Sequence, residues 1–224
     1  MRFKFILFGI LLSSQLFGQE FLLHVGYAIP SGNFSNSNIQ KPDNGFAKPG
    51  MSYALHVNYQ LVQHAGIAAE VGFSNQLFDT KTFSQQLESV NSFSQVQITS
   101  LSGYKSSYAL LGLYTEFPKK KFIFNLHTCV GFVSQQTPSY KVSYIYSSNT
   151  GNDYIKANNL SSILFNWGLN VKYQLPKNFS VGVYLDNLIA NLKAPVNNYS
   201  SSNNTTTEIK YQTYQMGLCL GYTF

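Results

Sequence analysis

The stretch YQMGLCLGYTF, Tyr214 to Phe224, alternates large apolar side chains with small or polar ones. A period of two predicts a β-strand whose two faces meet different surroundings. Such a strand fits the core of a soluble sandwich, where the apolar face is buried, and it also fits a barrel wall that faces lipid. The remainder of the chain is needed to choose between these two folds.

Seven other stretches show the same alternation. They are Phe21 to Ile29, Met51 to Leu61, Ile67 to Ser74, Tyr104 to Phe117, Phe122 to Phe132, Ile163 to Tyr173 and Phe179 to Asp186. Only the fourth of these is apolar on both faces, and there we expect Gly112 and Glu116 to face inward. Its predicted outward residues are Ala109, Leu111, Leu113 and Phe117.

The connections between the eight stretches alternate strictly between long and short. The short ones are Val62 to Gly66, Pro118 to Lys121 and Pro176 to Asn178. The long ones are rich in Ser, Asn and Gly, and they are Pro30 to Gly50, Asn75 to Gly103, Val133 to Leu160 and Asn187 to Glu208. In an up-and-down meander this order puts every long loop at one end, and the short turns with both termini at the other. That asymmetry is typical of transmembrane β-barrels.

Composition separates the two folds. Charged residues make up only 11% of the chain, against about 25% in a soluble domain. The opposite face of most strands carries Gly, Ser, Ala and Asn, which suit the narrow interior of an eight-stranded barrel. We therefore predict an all-β fold: an eight-stranded antiparallel up-and-down transmembrane β-barrel with short periplasmic turns and four long extracellular loops. Residues predicted to face lipid include Tyr53, Leu55, Val57, Tyr59, Phe165, Trp167, Leu218 and Leu220.

The N-terminus, MRFKFILFGILLSSQLFGQE, places Arg2 and Lys4 before a short apolar run. This is the plan of a secretory signal peptide, so we expect residues 1–18 to be removed and residues 19–224 to form the barrel domain. The predicted location is the outer membrane of a Gram-negative-type bacterium, with both termini periplasmic. Removal of Arg2 and Lys4 lowers the formal net charge from +6 to +4 (6 − 2), and no arginine follows Arg2. Because nucleic-acid binding favours Arg forks and clustered basic faces, no nucleic-acid partner is expected.

The two cysteines, Cys129 and Cys219, fall on the small or polar sides of well-separated strands. A barrel would place them across the lumen from each other, beyond the ~7 Å Cα separation that a disulfide allows. We predict free thiols.

Three segments resemble a known family. They are VGYAIPSGNFSN after the first strand, GFAKPGMSYALHVNYQL in the second, and the closing strand that ends in Phe224. Together they look like the outer-membrane protein β-barrel domain family, which includes the PorT-like proteins. The resemblance covers nearly the whole mature chain and implies a barrel in the outer membrane. It carries over no catalytic residue.

Four inward-facing side chains, His24, His56, Glu70 and His127, lie about four to six residues along their strands from the short-turn end. At about 3.3 Å per residue they would form one layer. The layer could be a metal site or a pH-responsive lumen, or a plug of hydrogen-bonded side chains. We favour the plug, because ligands in protein metal sites are usually closer in sequence than one per strand.

Lys172 and Asp186 face inward on neighbouring strands, with Glu116 beside them. Charged residues in a barrel lumen usually pair, so we expect a salt-linked plug rather than an ion path. We predict neither a metal ion nor a cofactor.

The long loops are the predicted binding surface, because function concentrates on loops held by a rigid scaffold. The third loop contains SYKVSYIYSSNTGNDYIK, which should form a hairpin that turns at Asn149 to Asn152 and extends the barrel. Tyr, Ser and Asn are also the mixture that adaptable binding loops use, although a merely solvated loop is the alternative. The candidate binding residues are Tyr140, Tyr144, Tyr146 and Tyr154.

These patterns favour a monomeric structural or interaction barrel that contacts outer-membrane lipid and, through its loops, an envelope or extracellular protein or polymer. A narrow pore or transport-associated barrel is the alternative, although eight strands leave little open lumen. A lipid-modifying enzyme would need a Ser or His with an orienting carboxylate near the lipid face or the outer rim. The four histidines lie elsewhere, since three face inward and His64 is in a periplasmic turn. We therefore expect no enzymatic activity.

Overall fold

The computed structural model describes residues 19–41, 43–91, 95–146, 149–195 and 206–224. Within these ranges, eight strands close into an antiparallel barrel. They are β1 (Gln19–Pro30), β2 (Ala47–Val62), β3 (Ala65–Phe78), β5 (Tyr104–Lys119), β6 (Phe122–Gln136), β9 (Asn159–Gln174), β10 (Phe179–Pro195) and β11 (Thr206–Thr223). The predicted eight-stranded antiparallel barrel is confirmed, while the expected signal peptide, residues 1–18, lies outside the described residues.

The barrel closes where β1 pairs with β11. This seam runs from Glu20 opposite Thr223 to Pro30 opposite Thr213. The N–H of Phe224 donates to the carbonyl of Gln19 at 2.9 Å, which lengthens the seam by one bond. Closure pairs the backbone polar groups of the wall with one another, as lipid surroundings would require.

Three short turns lie at the end of the barrel where β1 begins, called the short-turn end. The β2–β3 and β5–β6 turns contain His64 and Lys120, whose φ angles are 66° and 59°. Tight hairpins need such left-handed residues, because the resulting turn matches the right-handed twist of the strands. Lys177 and Asn178 adopt the same conformation between β9 and β10. The opposite end, where the longer connections lie, is called the long-loop end.

Outward-facing side chains form an apolar belt around the barrel. On β9 the belt runs from Ile163 to Tyr173, ten residue steps. This is about 33 Å at about 3.3 Å per residue, and about 25 Å along the axis at a strand tilt of about 40°. Membrane-spanning barrels carry an apolar band of about that height. The residues predicted to face outward all belong to this face: Tyr53, Leu55, Val57, Tyr59, Phe165, Trp167, Leu218 and Leu220. Val57 and Tyr59 are half-buried, and the other six are exposed.

Aromatic pairs line the belt at the short-turn end. They meet edge to face at centroid distances of 5.0 to 5.5 Å, and they are Phe21 with Phe224, Phe122 with Tyr173, and Phe179 with Tyr222. The ammonium of Lys121 lies 5.8 Å from the Tyr173 ring centre. A ring of aromatics with basic residues beyond it is typical of the level where a membrane barrel meets the head groups.

The direction of β5, apolar on both faces, agrees with the prediction. Leu111, Leu113 and Phe117 are exposed on the outside. Tyr108 and Leu110 are buried inside. A Cβ atom at Gly72 would come within 2.2 Å of the Tyr108 ring, so Tyr108 fills the space that this glycine leaves open.

Three further strands and two helices lie at the long-loop end and are together called the cap. The strands β4 (Gln95–Ser102), β7 (Ser139–Tyr146) and β8 (Asn149–Ile155) form a separate antiparallel sheet in the order β4–β7–β8. The helices α1 (Gly32–Ser35) and α2 (Thr80–Asn91) belong to the first and second long connections. In the described ranges, no helix is long and apolar enough to cross a bilayer.

The structure of the cap differs from the predicted structure of the long loops. The β7–β8 hairpin exists, but it pairs with β4 instead of extending the barrel, because the second loop brings a strand of its own alongside β7. Asn149 pairs with Tyr146, so the residues from Asn149 to Asn152 belong to strand β8 rather than to the predicted turn. The barrel strands also reach further than predicted, since β10 continues to Pro195 and β11 begins at Thr206.

Candidate functional site

The inward side chains fill the barrel in three layers. A turn-end layer is charged, and a middle layer carries imidazoles and carboxylates. A loop-end layer is mainly apolar and aromatic, with buried polar side chains such as Gln76 and Thr213 among them. Sequence alternation places these side chains inside, and the strand register decides which of them meet.

The middle layer consists of His24, His56, Glu70, His127 and Asp186, each from a different strand. All five side chains are at most 4% exposed. The structure therefore brings together the four residues that the sequence placed in one layer. It also adds Asp186, which the sequence assigned to a pair with Lys172.

Glu70 and His56 are hydrogen bonded on both sides. The Nδ1 atom of His56 lies 2.9 Å from Oε2 of Glu70, and the Tyr108 hydroxyl donates to Oε1 of Glu70 at 2.8 Å. The Nε2 atom of His56 lies 3.0 Å from Oδ1 of Asn58, whose amide nitrogen donates to Glu20 at 3.0 Å. Because the Asn58 partner is an amide oxygen, the Nε2 atom of His56 donates to it, and a proton lies between Nδ1 of His56 and the carboxyl group of Glu70.

Asp186 lies between two other histidines. Its Oδ1 atom is 3.0 Å from Nε2 of His127, and its Oδ2 atom is 3.7 Å from Nδ1 of His24. The His24 ring stacks on Tyr184 with a centroid distance of 4.2 Å. A Cβ atom at Gly168 would come within 1.9 Å of Asp186 Oδ1 and 2.5 Å of His127 Nε2. The absence of a side chain at Gly168 is therefore what makes room for this pair.

The turn-end layer centres on Lys172, which is 1% exposed. Its ammonium donates to both carboxylate oxygens of Glu20, at 2.6 and 2.5 Å, and to Oε1 of Glu116 at 3.2 Å. The amide nitrogen of Asn125 donates to the same Glu116 oxygen at 3.3 Å. Two carboxylates thus surround one buried cation.

Lys172 and Asp186 both face inward, as expected, but they do not pair with each other. Lys172 lies opposite Gly182, four residues along β10 from Asp186, so the two charges occupy different layers. Lys172 does meet Glu116, as expected, but its closest partner is Glu20.

The loop-end layer closes the barrel with apolar and aromatic side chains. Phe34 of α1 is fully buried, and its ring centre lies 4.9 Å from that of Tyr104 and 5.1 Å from that of Tyr211. The Tyr104 hydroxyl donates to the carbonyl of Gly45 at 2.6 Å, so the first long connection is bonded into the barrel mouth. Further buried residues of this region are Leu110, Val133, Leu160, Leu164, Leu188 and Leu192. Side chains therefore occupy the lumen at all three levels.

An aromatic cluster joins the cap to the barrel. Tyr140 stacks on Phe78 at 5.1 Å and meets Phe83 of α2 edge to face at 5.6 Å. Phe46 packs against Phe83 at 5.0 Å. Tyr140, predicted as a binding residue, thus packs the base of the cap.

The other predicted binding tyrosines lie further out. The Tyr144 ring lies over Gly151, where a Cβ atom would come within 2.4 Å of it. Tyr154 is 55% exposed. The side chain of Tyr146 lies outside the described residues.

Asp79 ties α2 to β2. It accepts bonds from the backbone N–H of Thr82 at 3.2 Å and the Thr82 hydroxyl at 2.8 Å, as a helix N-cap does. The Lys48 ammonium lies 2.9 Å from the same carboxylate. Partial burial opposes ionisation, but the bonds from Lys48 and Thr82 outweigh it and lower the pKa of Asp79 below its ordinary value of 3.8.

Two sets of middle-layer residues could hold a metal ion. They are His24, Glu70 and Asp186, and His56, Glu70 and His127; in each set, one ligand atom from every residue lies within 4.8 Å of the others. The cysteines are not involved, since Cys129 and Cys219 are both buried with free thiols.

Sequence reasoning missed Glu20, Tyr108 and Gln215. The alternation of β1 gives Glu20 an inward position two residues before Leu22, so that signal was available. Tyr108 was hidden because its stretch is apolar on both faces. Gln215 bonds to Tyr108 at 3.1 Å, a contact that depends on barrel closure.

Comparisons with known proteins give the fold and little else. No protein-family profile matches the chain, and no curated protein matches it. Neisserial surface protein A has a TM-score of 0.50 at 9% identity, over 92% of this chain and 97% of that chain. Ail, the attachment invasion locus protein of Yersinia pestis, has a TM-score of 0.47 at 12% identity, over 92% and 99% of the two chains. The N-terminal β-barrel domain of Pseudomonas aeruginosa OprF has a TM-score of 0.37 at 10% identity, over 93% and 100%.

At such low identity, the likeness to Neisserial surface protein A supports the closed barrel alone. The resemblance to PorT-like proteins stays a prediction. The chain shares the architecture of that eight-stranded surface protein, and its function has to be inferred from its own lumen and cap.

Proposed function

We propose that this chain is an integral outer-membrane β-barrel that acts as a structural or interaction protein, with the cap as its binding surface. Residues 1–18 would be its signal peptide, and residues 19–224 its barrel domain. The apolar belt of about 25 Å supports membrane insertion, because a soluble barrel would expose polar side chains there. The short turns at one end and the longer connections at the other support a periplasmic position for the turns and both termini.

The filled lumen is the observation that carries the proposal. Phe34 blocks the long-loop end, and the bonded group of Lys172, Glu20 and Glu116 blocks the short-turn end. A solute would have to displace both groups and cross the buried middle layer. Passage through the barrel is therefore disfavoured, and function falls to the surfaces outside the membrane.

The cap is suited to be that surface. It has its own sheet, two helices and an aromatic base, so it presents a defined shape beyond the belt. Tyr154 stands exposed on it, and aromatic side chains on a rigid support are common anchors for partners. The class of partner proposed is an envelope or extracellular protein or polymer.

The position of the histidines argues against catalysis. His24, His56 and His127 are buried in the lumen, where a lipid or an extracellular substrate cannot reach them, and His64 is exposed in a turn at the opposite end from the cap.

A photo-crosslinking amino acid at Tyr154, introduced in living cells, tests the binding surface. We expect adducts with a surface protein or polymer at this position, and only lipid adducts when the same group replaces Leu113 in the belt. The structure also offers a deletion, because the N–H of Thr137 donates to the carbonyl of Asn158 at 2.8 Å and so joins the two ends of the β7–β8 hairpin. Removing residues 139–156 should leave the barrel folded and abolish the adducts.

Conductance in a planar bilayer checks the competing pore function. The proposal expects no stable conductance from the intact chain. Steady channels from the intact chain would replace it with a transport function, and adducts that persist without the hairpin would move the binding surface away from the cap.

A further inference from the structure

The middle layer of the lumen has a chemistry that the proposed surface function does not use. We propose that it binds one divalent transition-metal ion of the Zn²⁺ class through His24, Glu70 and Asp186, with His127 as a fourth ligand. The ion would lie at the centre of the barrel and join strands β1, β3, β6 and β10.

The donor atoms already have nearly the spacing that a metal needs. Zn²⁺ bonds of about 2.1 Å in tetrahedral geometry place neighbouring ligand atoms about 3.4 Å apart. Here Oδ2 of Asp186 lies 3.7 Å from Nδ1 of His24, and the His24, Glu70 and Asp186 ligand atoms all lie within 4.8 Å of one another. His127 lies outside that set, with its Nε2 atom 3.0 Å from the other oxygen of Asp186. Its ring would have to rotate toward the ion to become the fourth ligand.

The same donors lack other partners. Among the described residues, both ring nitrogens of His24, both of His127 and both oxygens of Asp186 are buried without a hydrogen bond of acceptable geometry. The distance of 3.0 Å between His127 and Asp186 is short enough for a hydrogen bond, but the angle at the donor is unsuitable for one. Buried polar groups normally find partners, and leaving them unpaired costs free energy. One atom from each of these residues could therefore bind a metal ion without breaking a hydrogen bond.

The hydrogen bonds of His56 favour the His24 set of ligands over the alternative set that contains His56. Its two nitrogens already bond to Glu70 and Asn58, so it can support Glu70 from outside the shell, as second-shell groups commonly do. In the His56, Glu70 and His127 set, His56 would have to give up one of those two bonds to coordinate the ion. The ion is therefore assigned to His24 rather than to His56.

Charge also favours a divalent cation. Within the described part of the barrel interior, four carboxyl groups, Glu20, Glu70, Glu116 and Asp186, accompany one ammonium group, that of Lys172. Carboxyl groups therefore outnumber the lysine inside the apolar belt. A divalent ion would add positive charge there, and the mixture of imidazole and carboxylate donors is one that Zn²⁺ accepts.

The test uses the mature chain, stripped of metal with a chelator and refolded in detergent. Zn²⁺ is titrated against a chromophoric competitor, and bound metal is counted by mass spectrometry after gel filtration. Co²⁺ is then substituted, and its visible absorption reports the number and geometry of ligands. We expect one ion per chain and a four-coordinate Co²⁺ spectrum.

Variants separate the lumen from surface binding. His24→Gln and Glu70→Gln should each weaken Zn²⁺ binding by more than about 100-fold, beyond the usual effect of losing an outer-shell partner. His64→Gln removes an exposed histidine from a turn and should leave binding unchanged. Gly168→Ala keeps every ligand but crowds Asp186, and it should weaken binding as well.

Less than about a tenth of an ion per intact chain would overturn the proposal, and this measurement needs no variant to fold. Binding that His64→Gln abolishes would show surface capture and overturn it too. If His56→Gln abolished the Co²⁺ spectrum while His24→Gln preserved it, the ligand assignment would be wrong. A heat-dependent shift on SDS gels identifies which variants are folded before they are compared.

Discussion

Replacing Lys172 with methionine is expected to lower the free energy of unfolding by about 3–5 kcal/mol, because it strands buried carboxylates without their cation. Lys172 is 1% exposed, and its ammonium lies 2.5 and 2.6 Å from the two oxygens of Glu20. At an effective dielectric constant of about 20, a charge pair at about 4 Å is worth about 4 kcal/mol. Glu116 adds less, since its side chain is 24% exposed and water screens it.

The assay is a denaturant titration of the mature chain in lipid vesicles, followed through the fluorescence of Trp167, the one tryptophan of the sequence. Lys119→Met makes the same chemical change at an exposed position and should alter stability by no more than about 0.5 kcal/mol. Adding Glu20→Gln to Lys172→Met should restore part of the loss, because one stranded charge is removed. A loss below about 1 kcal/mol for Lys172→Met would refute the reasoning and indicate a hydrated lumen.

Three further changes probe the belt, the barrel mouth and the cap. Leu218→Lys, at mid-height in the belt, should cost about 2–4 kcal/mol in vesicles, against about 0–1 kcal/mol for Leu61→Lys near the short-turn end, and equal costs would contradict the belt. Phe34→Ala should lower the free energy of unfolding by about 3–5 kcal/mol through lost packing. A protease should then cut within residues 31–46, while the heat-dependent shift on SDS gels persists. Unchanged cleavage would show that Phe34 does not seal the barrel mouth. Asp79→Ala should lower α2 stability by about 0.5–2 kcal/mol. Because the folded-state pKa of Asp79 is depressed, its stabilising effect is complete above its ordinary pKa of 3.8 and disappears as the pH falls through the folded value. Hydrogen-exchange protection of α2 that stays constant over this pH range would contradict the capping role of Asp79.

Alternation along single strands was enough to predict the barrel, because side-chain direction in a strand is a local property. Trp167 faces outward and His127 faces inward, and the alternation of apolar and small or polar residues within each strand is enough to predict both directions. Pairing between distant residues was harder. Lys172 meets Glu20 across the lumen, a contact 152 positions apart in sequence that depends on the register of every strand between them.

The cap shows the same limit. Helix α2 carries few apolar residues, so its sequence reads as a polar loop, although Asp79 before Thr80 was an available capping signal. Strand β4 becomes a strand because β7 lies beside it, and β7 comes from a different loop. Neither partner determines the sheet alone, and only β7 also contributes a ring, that of Tyr140, to the aromatic cluster below.

The seam between β1 and β11 has a consequence for how this barrel is made. A hairpin such as β2–β3 can form as soon as its two strands exist, whereas Glu20 and Thr223 meet only after the rest of the wall is in place. Such distant pairing raises contact order and slows folding. Until the seam forms, the sheet has two unpaired edges, which lipid cannot satisfy and which invite pairing with other chains. Any factor that assists insertion of this protein must therefore shelter the edge of β1 until β11 arrives.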